Sequence, residues 1–125
     1  MCLLLSNPTA NKSIVEICRL GQSNLVHDIA RMADEDTVEE GKALGSKLKN
    51  VSDWSSLEIS NVKKYRRGRH RFYIVGNHTQ CQYKVVFVLV NKREEDDKPD
   101  DKRFQNKIAR AVMDDSYLRI IEPPR

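Results

Sequence analysis

The residues of this chain best suited to chemistry form a basic block from Lys63 to Arg71. The block reads Lys-Lys-Tyr-Arg-Arg-Gly-Arg-His-Arg, so six of its nine residues carry a permanent positive charge. It leads directly into residues 72–75, whose apolar and β-branched side chains are typical of a strand. A basic block that enters a sheet can hold its charges in a fixed arrangement against a phosphate backbone, which a flexible tail cannot do.

The period of a strand predicts how these side chains divide between two faces. Alternate residues share a face, so Arg69, Arg71 and Tyr73 are expected on one side of the sheet. Phe72 and Ile74 then point to the other side, where they are expected to pack against the amino-terminal helices. This division predicts that two guanidinium groups and a phenol lie on an open face of the sheet.

Further cations, Lys92 and Arg93, stand at the end of the next predicted strand. If the two strands pair as a hairpin, their cations converge on a single anion-binding pocket. Such a pocket suits the cleavage of RNA by its own 2′-hydroxyl, because arginine side chains stabilise the charge that develops on the phosphate. A lysine whose pKa is lowered by neighbouring cations can act as a base, and Lys63 or Lys64 is placed for that role.

Other interpretations of the basic block stay open. Charged residues at strand ends often form only a solvated rim, and the block could also bind nucleic acid or a ribosome without chemistry. His70 is expected to be structural, either on the Phe72 side or at the bend around Gly68. Trp54 and Tyr65 could stack on bases, although a single tryptophan before a strand is more often a core residue.

The composition predicts one domain, residues 1–125, with a modest core and a highly charged surface. Of its 125 residues, 39% are hydrophobic and 32% are charged. A net charge of +4 favours a polyanionic partner, although residues 94–101 hold six acids. Neither a signal peptide nor a membrane-spanning segment is recognisable, so a cytoplasmic location without a membrane partner is expected.

The cysteines give no indication of a disulfide framework. The chain has three, Cys2, Cys18 and Cys81, and no two of them are close in sequence, which fits a reducing compartment. A metal site built from Cys18, Cys81 and either His27 or His78 is conceivable, but no recognised ligand spacing supports it. We therefore expect no metal and no organic cofactor.

The first fifty residues are predicted to be helical. A first helix is expected to be capped at Asn11 or Ser13 and interrupted at Gly21. A second helix is indicated by apolar residues at helical spacing: Leu25, Ile29 and Met32. A third helix is expected after residues 34–36, with an apolar stripe formed by Val38, Leu44 and Leu48.

The period then changes to that of strands. A short strand is predicted around Leu57 and Ile59, another over residues 71–75, a turn at 76–79, and a central strand at 83–90 that is covered on both faces. Beyond the acidic segment, a helix starting near Asp101 carries one apolar side: Phe104, Ile108, Ala111 and Val112. Residues 117–121 are expected to add an edge strand. The class is α+β, with amino-terminal helices on a small antiparallel sheet and a carboxy-terminal helix.

Residues 57–112 resemble the RelE-like toxins, a family of small basic bacterial proteins that cut messenger RNA. The resemblance rests on Lys64 ahead of Arg71 in an apolar strand, followed by a valine-rich strand that ends in Asn-Lys-Arg-Glu at residues 91–94. Family members carry a helical hairpin on an antiparallel sheet with basic residues on its concave face. Some members have a tyrosine near the active site, just after the Lys-Arg-Glu stretch, and its nearest equivalent here is Phe104. The amino-terminal strand of the family has no clear counterpart in residues 1–6.

The resemblance implies roles for individual residues of this chain. Lys64 becomes the base, and Arg71 and Arg93 stabilise the scissile phosphate. The implied contacts to RNA come from the remaining basic residues and one tyrosine: Lys63, Arg66, Arg67, Arg69, Tyr73 and Lys92. The expected function is that of a metal-independent endoribonuclease (an mRNA interferase). It is expected to act on the ribosome and to be inhibited by an antitoxin protein.

Two other functions are compatible with the same fold. One is a noncatalytic RNA- or ribosome-binding module of a phage or mobile element. The other is a relative of the toxins that is directed at DNA gyrase and acts by protein contact alone.

Overall fold

Four helices and six strands make up the described part of this computed structural model, which covers residues 1–51, 61–90, 102–114 and 118–121. The helices are Pro8–Arg19 (α1), Ser23–Glu35 (α2), Leu44–Lys47 (α3) and Lys102–Met113 (α4). The strands are Leu3–Ser6 (β1), Lys49–Asn50 (β2), Lys63–Arg67 (β3), His70–Asn77 (β4), Gln82–Leu89 (β5) and Arg119–Ile120 (β6).

The strands form one sheet in the order β2-β3-β4-β5-β1-β6. Neighbouring strands are antiparallel except for the pair β1 and β5, which is parallel with Leu3 opposite Gln82. The α+β class and the mostly antiparallel sheet are thus confirmed, as is the short edge strand near the carboxyl end, whereas the parallel pairing of β1 is not predicted. The strand β1 cannot be recognised in the sequence, because it has only four residues and is followed directly by Asn7, the N-cap of α1.

The strand β5 is central and covered on both faces, as its sequence predicts. Its register with β4 shifts between Tyr73 and Ile74, which leaves Val86 as an extra residue. Because of this bulge, the neighbours Val86 and Phe87 both face α4, while Val88 returns to the side of α1 and α2. The bulge therefore lets one continuous apolar run supply two separate hydrophobic clusters.

The face that carries Tyr73 is not open. All four predicted apolar residues of α4, among them Phe104 and Ile108, pack in a cluster with Tyr73 and Val86. Tyr73 is only 1% exposed as a result. The prediction of an open face is wrong because this side of β5 is itself apolar and an amphipathic helix is available to cover it. The other prediction holds, since Phe72 packs with residues of α1 and α2.

The first helix begins earlier than predicted. The side chain of Asn7 accepts a hydrogen bond from the backbone N–H of Ala10 at 2.7 Å, and Pro8 occupies the first turn. Asn followed by Pro is a favourable helix start, because proline has no N–H to leave unpaired. The caps expected at Asn11 and Ser13 are therefore wrong, whereas α2 lies where its apolar spacing places it.

The predicted third helix is reduced to the single turn α3 by an interaction of Asp36. This carboxylate is 1% exposed. It accepts hydrogen bonds from the N–H of Ala43 at 2.7 Å, the N–H of Gly45 at 2.9 Å and the hydroxyl of Tyr83 at 2.6 Å. Asp36 thus closes the loop between α2 and α3 and binds a first-turn amide of α3, and Val38 is left 51% exposed.

Burial raises the pKa of Tyr83 well above its ordinary range, and the hydrogen bond to Asp36 raises it further. The phenol therefore stays protonated and donates to the carboxylate. Through this contact the end of α2, the loop before α3 and the central strand β5 are held together. The strand predicted around Leu57 and Ile59 and the acidic segment 94–101 lie outside the described residues.

The end of β4 requires glycine at position 76. Gly76 has a φ of +111°, and a Cβ there would overlap the carbonyl oxygen of Gln82. We expect Gly76→Ala to lower the free energy of unfolding in urea by about 3 kcal/mol, because backbone strain and steric overlap act together. Gly21 is the matched control, since its φ is +80° and its Cβ would meet nothing within 4 Å.

Gly21→Ala should lower the free energy of unfolding by only about 1 kcal/mol, through backbone strain alone. Equal losses in the two variants would contradict the steric argument at position 76.

Candidate nucleic-acid interface

The exposed cations collect in a groove at the β2–β3 edge of the sheet, which we call the basic groove. It encloses about 590 Å³ between α3, β2 and β3. Its lining residues are Ser46, Lys47, Lys49, Lys64, Tyr65, Arg66 and Arg67. Five of these seven are lysine or arginine, and no acidic residue of the described chain lines the groove. Its charge is therefore suited to an anion.

Strand pairing places like charges directly opposite one another in this groove. Lys49 of β2 pairs with Lys64 of β3, and both residues line the groove. The Cβ atoms of such pairs lie about 5 Å apart, and like charges in this position destabilise a sheet. An anion bound in the groove would interact favourably with both charges of such a pair.

The turn between β3 and β4 extends the basic surface. A second recess of about 350 Å³ lies there, lined by Gln22, Leu25, Arg67, Gly68, Arg69 and His70. Arg67 lines both recesses, so the positive surface is continuous from the groove to the hairpin turn. The guanidinium of Arg67 also lies 3.3 Å from a carboxylate oxygen of Asp28, which holds it beside α2.

Arg71 is not part of this surface. Its side chain is 2% exposed, and Nη1 donates to the carbonyl oxygens of Gly68 at 2.8 Å and His70 at 3.0 Å. Its Nε has no hydrogen-bond partner among the described residues. Arg71 therefore fastens the β3–β4 turn from inside and does not reach a phosphate on the outside of the sheet.

The predicted aromatic contacts to RNA are also wrong. Tyr73 packs edge-on against Phe104 at a centroid distance of 5.3 Å, and Phe87 completes a cluster of three rings. Tyr65 is 4% exposed and packs against Phe72 at 6.1 Å. Both tyrosines are core residues, since their rings are too deeply buried to stack on a base. The equivalent of the family's late tyrosine, Phe104, belongs to the same core.

The remaining predicted residues separate into three groups. Lys64, Arg66 and Arg67 come together in the basic groove, and Arg69 is exposed at the hairpin turn. Lys63 is half-buried opposite Ile74, on the other face of the sheet from Lys64. The last group, Lys92, Arg93 and Trp54, lies outside the described residues.

Sequence reasoning missed two groove residues, Lys47 and Lys49. Both are exposed, and β2 is only two residues long, too short to be recognised by its period. The available signal is the alternation Lys-Leu-Lys at 47–49, because lysines that flank an apolar residue are typical of a protected edge strand.

His70 has the structural role that its sequence position predicts. It is 2% exposed, and its Nε2 forms a hydrogen bond with the side-chain oxygen of Gln22. Burial lowers the pKa of His70, and the charge of Arg71 lowers it further. The neutral imidazole thus ties the start of β4 to the residue preceding α2.

His70 is expected to make the stability of the protein depend on pH. Its folded-state pKa lies below the ordinary value of about 6.5, so the unfolded chain binds a proton there more readily than the folded chain. The contribution of His70 to the free energy of unfolding is complete above about pH 6.5. It is lost as the pH falls towards the folded-state pKa.

Urea titrations at about pH 7.5 and about pH 5.5 test this dependence. The free energy of unfolding should fall more for the unchanged chain than for His70→Gln, whose amide can still donate to Gln22. Parallel losses in the two proteins would show that His70 does not cause the pH dependence.

Two searches for other kinds of site within the described ranges are negative. No three side chains among His, Cys, Asp and Glu converge where they could hold a metal ion. None of the described helices is both long enough and apolar enough to cross a membrane.

Comparison with known proteins leaves the site to be interpreted from its own geometry. No family model matches the chain, and searches of curated proteins and of solved structures return no match.

Proposed function

We propose that this protein binds RNA through the basic groove and does so without catalysis. The observation that carries the proposal is the opposed pair Lys49 and Lys64 in a groove with five cationic lining residues. A polyanion in the groove is attracted by these charges and releases its own counterions on binding.

The geometry favours recognition of the backbone rather than of the bases. The described tyrosine and phenylalanine side chains are buried or half-buried, so stacking on bases contributes little. Lysine and arginine at an exposed strand edge instead track a row of phosphates. We therefore expect weak sequence preference and a strong dependence of the affinity on salt concentration.

RNA is preferred over other polyanions in this proposal because residues 57–112 resemble RelE-like toxins. The same proposal includes three further properties of this protein: it belongs to that family, it contacts the ribosome, and an antitoxin inhibits it. The continuous basic surface between the groove and the hairpin turn is the surface that an acidic antitoxin segment would cover.

Neutralising the two lysines that lie on α3 and β2 tests the binding site. In Lys47→Gln/Lys49→Gln, the slope of log Kobs against log salt for single-stranded RNA should fall in magnitude by about 1.4, or ~0.7 for each lost phosphate contact. The matched control is Lys12→Gln/Lys107→Gln, which removes two exposed lysines from α1 and α4. The control should keep the slope of the unchanged chain.

An equal change of slope in both variants would show that net charge, and not the groove, determines binding. A change in the groove variant alone supports the proposal.

The second candidate function is a metal-independent endoribonuclease, favoured by the position of Lys64 within the groove. Its mechanism would need another group to stabilise the scissile phosphate, because Arg71 is buried. The first proposal predicts that bound RNA stays intact during long incubation in a chelator. The catalytic function would replace the binding function if the unchanged chain cleaves RNA and Lys64→Gln does not, while Lys64→Gln keeps its affinity for RNA.

A further inference from the structure

The fold brings together two thiols that are far apart in sequence. Cys2 precedes β1, and Cys81 joins the 3-10 turn His78–Gln80 to β5. Their Sγ atoms lie 2.6 Å apart across a separation of 79 residues. The sequence gives no indication of this pair, because the parallel strand β1 that creates it is not recognisable there.

Strand pairing fixes the backbone geometry around the two thiols. The N–H of Leu3 donates to the carbonyl oxygen of Cys81 at 3.1 Å, and Leu3 lies opposite Gln82. Cys2 and Cys81 are therefore at neighbouring positions of two adjacent strands, which lie about 4.8 Å apart. That spacing falls within the Cα separations of about 4.4–6.8 Å that a disulfide spans.

The backbone conformation of Cys81 is a second, independent indication that its side chain has a function. Its φ is +53°, in the left-handed region, and every other described residue with positive φ is a glycine. Glycine would adopt this conformation without strain, so a cysteine here carries a conformational cost. A strained residue of this kind points to a function for the side chain.

The two thiols differ in their access to solvent. Cys2 is 4% exposed, and burial together with its contact to Cys81 raises the pKa of its thiol to about 12. Cys81 is only half-buried. A reagent in solution therefore reaches Cys81 first, with Cys2 directly behind it.

We propose that Cys2 and Cys81 form a reversible disulfide by exchange with small-molecule disulfides such as oxidised glutathione. The thiolate of Cys81 attacks one sulfur of the reagent and expels one glutathione thiolate, which leaves a mixed disulfide on Cys81. The sulfur of Cys2 then loses its proton to solvent and attacks the Sγ of Cys81, which releases the second glutathione. Two protein thiols are oxidised by two electrons, and one reagent disulfide is reduced to two thiols.

The disulfide would link the amino-terminal end of the sheet to the turn before its central strand. It closes a loop of 79 residues and so restricts the unfolded chain more than the folded one. For a domain of this size, a rise in Tm of about 10 °C is expected. This inference is independent of RNA binding.

Treatment of the full chain with oxidised glutathione tests the proposal. Alkylation in denaturant, followed by mass spectrometry, should show that Cys2 and Cys81 of the oxidised protein are joined to each other and that only the exposed Cys18 can carry glutathione. The Tm should rise by about 10 °C and return after addition of dithiothreitol. Cys18 is exposed and is the matched control, so Cys18→Ala should behave in the same way.

Two variants separate the roles of the paired thiols. Cys2→Ala should stop at a stable glutathione adduct on Cys81, without a rise in Tm. Cys81→Ala should leave Cys2 unmodified and the Tm unchanged by oxidation. Free thiols at both Cys2 and Cys81 in the oxidised unchanged chain, or a lasting glutathione adduct on Cys81, would overturn the proposal.

Discussion

The hydrogen bonds of Asp36 hold together the parts of the molecule that make the basic surface. A buried carboxylate is tolerated only when its oxygens are satisfied, and here two backbone N–H groups and the Tyr83 hydroxyl satisfy them. The Ala43 amide belongs to the loop that leads into α3, the Gly45 amide belongs to the first turn of α3, and the phenol belongs to the central strand. The lysines of α3 and β2 therefore occupy a defined position beside β3 because one acid fixes the loop before them.

The position of the charges follows from how the sheet is covered. The apolar clusters on its two faces occupy the central strands, with α1 and α2 on one side and α4 on the other. The β2–β3 edge lies beyond the central strands and exposes cations such as Lys49, Arg66 and Arg67. Lysines at that edge also discourage pairing with another sheet, so the same residues protect the fold and attract an anion.

Much of the fold can be predicted from the period and composition of the sequence. The apolar stripe of α4 and the two-faced covering of β5 both follow from the side chains alone. The strands β1 and β2 do not, because segments of four and two residues show no measurable period. Their places are set by pairing with β5 and β3, which is long-range information.

The candidate site was predicted in part for a related reason. Alternation correctly assigns Arg71 and Tyr73 to the face opposite Phe72, but it does not say whether that face is covered. Whether a side chain is accessible depends on the packing of α4, some thirty residues further along the chain. Lys64, Arg66 and Arg67 lie nearer the edge of the sheet, where they line an open groove beside α3.

The parallel strand β1 has a consequence for how the chain reaches its native state. It is made before both of its partner strands, β5 and β6, whose residues follow it by about eighty and more than a hundred positions. The sheet therefore cannot close until β6 has been synthesised. Contacts between residues so far apart in sequence slow folding. The apolar segment β1 therefore stays unpaired until its partner strands have been synthesised.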